Sequence, residues 1–192
     1  AIVTRAEGAE GRTIEGVACK MGVKYNMGWY DEIVSPGAFD EALKSSDIRC
    51  LVDHNPSKLL GRTSAGTLEV WIEGDELKYR VKEMPDTTSG NDTLCSVQRG
   101  DLQESSFGFT IKKSRWETVE HGDDWKDWEE TRYIEEVEII YDVSPVTFPA
   151  NPDTAVAKRS FDAYRNQQQQ KDESVSPELL EMELTLLRMK RA

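Results

Sequence analysis

Only two histidines occur in the 192-residue chain, His54 and His121, so the search for a general base, most often a histidine, is short. His121 stands in His121-Gly122-Asp123-Asp124, a carboxylate-rich turn, and reads as a solvated loop residue. His54 directly follows the apolar run Cys50-Leu51-Val52-Asp53, where a side chain can look out from the rim of a β-structure. A serine becomes a nucleophile when such an imidazole takes its proton, and a carboxylate that orients the imidazole improves the exchange. Ser106 suits that role. Strand alternation sets it opposite Phe107 and Phe109, whereas Ser105 turns inward with Phe107. Gly108, two residues on, permits a close approach of backbone or substrate. Asp142 is the candidate third member, opposite Tyr141 and Val143 by parity, with Glu138 on the same face as its alternative. Each residue also has a plain structural explanation: a surface histidine in a turn, a strand serine beside a packing glycine, an outward carboxylate.

Other chemistries find little support. Cys19, Cys50 and Cys95 are odd in number, widely spaced and without a CxxC pair, as expected of free thiols in a reducing compartment. Cys50 or Cys95 acting with His54 is a formal alternative nucleophile. There is no HExxH, P-loop or GxGxxG segment, and two scattered histidines do not build a usual catalytic zinc site. Acidic residues outnumber basic ones by 36 to 24, a formal charge of −12, with no basic stripe to engage a phosphate backbone. Direct nucleic-acid binding is not expected. The longest apolar runs are far too short for a membrane span, and the first residues do not resemble a secretory signal; a soluble, cytosolic protein is expected.

The elements that must position these residues are mostly strands. Short strands are expected over residues 12–34, followed by a helix from Ser35-Pro36-Gly37 in which Ser35 caps and Ala38, Phe39, Ala42 and Leu43 form one apolar stripe. Ile48 to Val52 reads as a buried strand that ends at Asp53-His54-Asn55-Pro56, where Asn and Pro force a turn. Leu68, Val70 and Ile72, the turn Glu73-Gly74-Asp75-Glu76, and Leu77, Tyr79 and Val81 make a hairpin. A short helix over 91–99 buries Leu94 and Val97 and stops at Gly100. The stretch 115–130 reads as an exposed hairpin tip, and 131–148 as a long strand with Tyr133, Val137, Ile139, Tyr141 and Val143 on one face. After Tyr164 the composition changes. Residues 165–176 are a polar linker, and 177–192 an amphipathic helix whose charges suit its dipole. The fold class is mainly β (α+β), and 1–164 form the main domain.

Six segments occur in a suggestive order: Gly16-Val17-Ala18, residues 32–39, Val52-Asp53-His54-Asn55, Leu60-Gly61-Arg62-Thr63, Ser105-Ser106-Phe107-Gly108-Phe109, and residues 143–152. Together they resemble the prohead maturation proteases of tailed bacteriophages, over roughly residues 12–160. The resemblance implies a β-barrel ringed by a few helices, like that of the herpesvirus assembly proteases, here with a C-terminal tethered helix. It implies a serine endopeptidase without a cofactor, working as or within a homo-oligomer. The enzyme would be packaged in the prohead in the host cytoplasm, where it cuts scaffolding protein or a scaffolding segment of the major capsid protein, and also itself. His54 and Ser106 match the family's histidine and serine. Where the family usually has Glu before Val-Ser, this chain has Asp142, about one methylene shorter. The herpesvirus relatives use a second histidine as third member, and His121 lies in the wrong segment for that. The competing reading is an inactive assembly module of the same fold; a small-molecule hydrolase lacks the nucleophile elbow.

Overall fold

The computed structural model describes residues 4–7, 12–121, 128–149 and 166. By its internal contacts the chain divides into two units, 1–151 and 152–192, and the elements below belong to the first. They are β1 (Thr4–Glu7), β2 (Thr13–Lys20), β3 (Lys24–Asn26), β4 (Asp31–Val34), α1 (Asp40–Ser45), β5 (Arg49–Val52), β6 (Asn55–Arg62), β7 (Leu68–Glu73), β8 (Glu76–Val81), α2 (Thr88–Arg99), β9 (Glu104–Glu120) and β10 (Trp128–Val146). The unit is thus mainly β, as expected. The linker 165–176 and the helix 177–192 lie outside the described residues, Asn166 apart. No described helix is long and apolar enough to cross a membrane.

Two sheets form. One runs β1-β2-β8-β7; the other runs β3-β4-β10-β5-β6, with β9 also paired to β10. β10 organises the second sheet. It pairs antiparallel with β9 along its length, and parallel with β4 through Thr131–Ile134 and with β5 through Asp142–Val143. The inner faces share one core: Ile14, Leu77, Tyr79 and Val81 from the first sheet, and Ile134, Ile140 and Val143 from β10, with Phe39 and Ile48. Phe39 meets Phe107 edge to face at 5.6 Å, in the geometry aromatic pairs prefer. A barrel closed by hydrogen bonds is not seen among the described residues.

Several expected boundaries move. The helix expected from Ser35 begins only at Asp40, because Gly37 adopts φ +84 and cannot be helical there. Ser35 accordingly accepts a turn hydrogen bond from Ala38 through its carbonyl, and no side chain caps α1. α2 starts earlier than expected, with Thr87 Oγ1 accepting from Gly90 N–H at 3.1 Å, and does stop at Gly100. The tip expected over 115–130 is mostly strand: β9 and β10 pair as far as Glu120 and Trp128, and 122–127 lie outside the described residues.

The largest departure is in β10, where single-face parity fails. Ile134, Ile140 and Val143 are fully buried, whereas Ile139 and Tyr141 point to solvent. Register shifts between Ile134 and Asp142 cause this. They fall where β10 has no strand partner on the β4/β5 side and α1 with its approach takes over. Val137 N–H donates to Ala38 carbonyl at 2.8 Å, and Ile140 N–H to Ser46 Oγ at 3.0 Å. The backbone groups are satisfied, and side-chain direction follows the helix contact rather than the pleat.

Candidate active site

β5 and β6 are joined by two residues, with Val52 paired to Asn55 across the turn. Asp53 (φ 50) and His54 (φ 55) both have positive φ, as in a type I′ turn, one of the two turn types that suit a loop that short. Of the turn expected over Asp53-His54-Asn55-Pro56, the first two residues form it, and Asn55-Pro56, expected to force it, open β6. Left-handed backbone costs on the order of 1–2 kcal/mol for each non-glycine residue, although Asp and His tolerate it better than most. The tip is held from outside. Asp53 N–H donates to Pro145 carbonyl at 3.0 Å, and Asp53 Oδ1 accepts from Thr147 N–H at 2.7 Å. Thr147 Oγ1 donates to Asp53 Oδ2 at 3.3 Å. These bonds pin the hairpin tip to the end of β10.

Pinned there, His54 meets Asp142. His54 Nδ1 and Asp142 Oδ2 are 2.7 Å apart, across 88 residues of sequence. Since a carboxylate only accepts, Nδ1 carries the proton and Nε2 is the basic nitrogen. Asp142 is 8% exposed, and a buried carboxylate needs donors. Ser144, fully buried, provides a second one, its Oγ donating to the same Oδ2 at 2.5 Å. The Asp142 hydrogen bond holds the His54 imidazolium above its ordinary 6.5; burial pulls the other way, and the charges of Asp142 and Asp53 add to the rise. The shift is the one expected of a histidine oriented by a carboxylate.

β9 brings the serine. Ser106 lies directly opposite Ser144, and Gly108 directly opposite Asp142, in the antiparallel ladder. Opposed residues share a sheet face, so Ser106 projects on the side of Asp142, Ser144 and the imidazole. A Cβ on Gly108 would stand 2.5 Å from Asp142 Oδ1, so the carboxylate occupies the space that the missing side chain leaves. Ser105 is turned away, 2% exposed and bonded through Oγ to Tyr79 Oη at 2.9 Å.

Of the sequence candidates, His54, Asp142 and Ser106 thus share one face, while Glu138 is exposed on the irregular stretch of β10. His121 lies at the far end of the β9–β10 ladder, 3.3 Å from Glu129. That is about 50 Å of strand from Ser106. Burial pushes the Cys50 thiol far above its ordinary range, which disfavours a thiolate; Cys95 is exposed on α2. Sequence reasoning missed Ser144 and the Asp53 clamp. The first was signalled by its i+2 spacing from Asp142, the second by an acceptor side chain in a tight turn.

No curated protein and no solved structure matches the chain significantly. The family model described as Caudovirus prohead serine protease matches residues 1–167. A match over that much of the chain, around a histidine, a carboxylate and a serine gathered on one sheet face, makes this chain a member of the Caudovirus prohead serine protease family, and hence a serine protease.

Proposed function

We propose that the chain is an endopeptidase acting inside the immature phage capsid on scaffolding protein or on a scaffolding segment of the capsid subunit, with Ser106 as nucleophile, His54 as base and Asp142 as the group that orients it. The observation that carries this reading is the 2.7 Å contact of His54 Nδ1 with Asp142 Oδ2 on the face of Ser106. The Ser106 hydroxyl proton passes to His54 Nε2 as Oγ attacks the scissile carbonyl carbon. The resulting imidazolium is stabilised by Asp142. It then protonates the departing amine, leaving Ser106 acylated. A water, deprotonated by the same nitrogen, releases the carboxylic acid and restores the serine.

The same reading takes the two sheets as parts of an assemblin-like barrel, active in a homo-oligomer. Residues 165–176 are its tether and 177–192 a helix that docks on scaffold or capsid protein, and the enzyme also cuts itself. The test is co-expression with the phage's scaffolding and capsid proteins, alongside Ser106→Ala and His54→Asn. Cleavage and covalent labelling by a fluorophosphonate are expected in the unaltered chain and absent in both variants. Labelling that survives Ser106→Ala would remove Ser106 from its role.

A further inference from the structure

The sheet face that carries Ser106, Asp142 and His54 continues across β5 and β6. Asp142 lies opposite Gly108 on one side and opposite Arg49 on the other, and Arg49 in turn lies opposite Arg62. Residues opposed across a sheet share a face, so Gly108, Asp142, Arg49 and Arg62 form one row on the side of the site. Val143 and Cys50, the next opposed pair along β10 and β5, take the other direction and belong to the core. The side chains of Arg49 and Arg62 are 41% and 43% exposed. One carboxylate serves both. Arg62 takes it with its fork: Nε donates to Asp47 Oδ2 at 2.8 Å and to Oδ1 at 3.1 Å, and a terminal nitrogen donates to Oδ2 as well. These bonds hold the Asp47 carboxyl well below its ordinary range. Arg49 is left with the Asp47 carbonyl at 2.5 Å and a longer contact to Oδ2 at 3.3 Å. Its Nε–H and the second N–H of each terminal nitrogen have no protein partner among the described residues.

We propose that Arg49 determines specificity by binding the carboxylate of an aspartate or glutamate in the substrate, within about four residues of the cut bond. The inference rests on Ser106 as nucleophile. From Ser106, the α-carbon of Arg49 lies two strands over and two residues along the sheet, about 12 Å at ordinary strand spacings. An extended peptide covers that span in about four residues. It has to lie over this face, because the serine hydroxyl and the imidazole are reached from it. A guanidinium fork matches a carboxylate in shape and keeps its charge at any working pH. In a chain of net charge −12, the row also offers an acidic segment a local attraction that the rest of the surface does not.

The experiment is digestion of a proteome-derived peptide library by the full chain, with cut sites read by mass spectrometry, for the unaltered protein, Arg49→Gln and Arg49→Glu. Rates are normalised to the fraction of chain labelled by a fluorophosphonate. The unaltered chain should favour Asp or Glu over Asn or Gln by about fivefold at one fixed position flanking the cut, the upper end for an exposed ion pair. Arg49→Gln should abolish that preference, and Arg49→Glu should replace it with one for Lys or Arg at the same position. Raising NaCl from about 0.05 M to about 0.5 M should shrink the preference of the unaltered chain, a measurement that needs no variant to fold. No acidic preference, or one indifferent to salt, overturns the assignment. So does a preference that survives both substitutions while cutting falls uniformly, since Arg49 would then only tie β5 to the turn before it. Any of these results with normal labelling leaves Ser106 in its role. A chain that neither labels nor cuts overturns both.

Discussion

Gly108→Ala tests whether the site depends on the face-to-face packing of β9 on β10. The added Cβ would lie 2.5 Å from Asp142 Oδ1, where ordinary contact begins at 3.4 Å, so the gap must open by 3.4 − 2.5 = 0.9 Å. Asp142 cannot swing aside freely, because its other oxygen is held by His54 Nδ1 at 2.7 Å and by Ser144 Oγ at 2.5 Å. A displacement of nearly an ångström stretches both bonds beyond useful length. Misplacements of that size cost about 10²-fold in rate, or about 2.7 kcal/mol of transition-state stabilisation. Overpacking should cost no more than about 1–3 kcal/mol of stability. The assay is kcat/KM on a peptide substrate, with folding checked by thermal denaturation. The same substitution is repeated in Asp142→Ala, where no carboxylate is left to push. Near-full activity in Gly108→Ala refutes the reasoning, as does an equal loss in the Asp142→Ala background, since coupled residues must be non-additive.

Asp142→Asn should move the acidic limb of the kcat/KM–pH profile downward, because the base must be neutral and the carboxylate is what raises His54 above 6.5; an unmoved limb excludes His54 as the titrating base. The same pair carries a stability signature. His54 has its pKa raised on folding, so its contribution is fully present below 6.5 and is lost as pH rises through the higher folded value. The stability gap between the unaltered chain and Asp142→Asn, measured by urea unfolding, should therefore narrow as pH rises through that range. Ser144→Ala removes one buried donor from Asp142 and should cost roughly 1–3 kcal/mol in urea unfolding; no measurable change would mean that the carboxylate is equally well served without it. Gly100→Ala places a side chain at φ +78 at the end of α2 and should cost about 1 kcal/mol of stability with kcat/KM unchanged. An activity loss there would show that α2 is coupled to the site.

Much of this protein is written locally. The hairpin of β7 and β8 was legible from alternation around Gly74-Asp75, and the end of α2 from Gly100, since neighbouring residues alone decide such turns and caps. The outward Ser106 and inward Ser105 followed from period-two parity in a regular stretch of β9. The scarcity of histidine narrows a histidine base to two residues by composition alone, and one of them, His54, stands in a segment that carries the family resemblance. Parity failed in β10 because the contact with α1 inserts register shifts, and a packing partner far away in sequence leaves no local periodicity. The choice between Asp142 and Glu138 as the carboxylate near His54 turned on those shifts. Tertiary structure alone brought His54 to Asp142, through a two-residue turn strained into the left-handed region and clamped by Asp53 to the end of β10. Residue type sets which groups can exchange a proton; which of them meet depends on pairings across 88 residues, whose free energy belongs to the folded whole and to no segment of it.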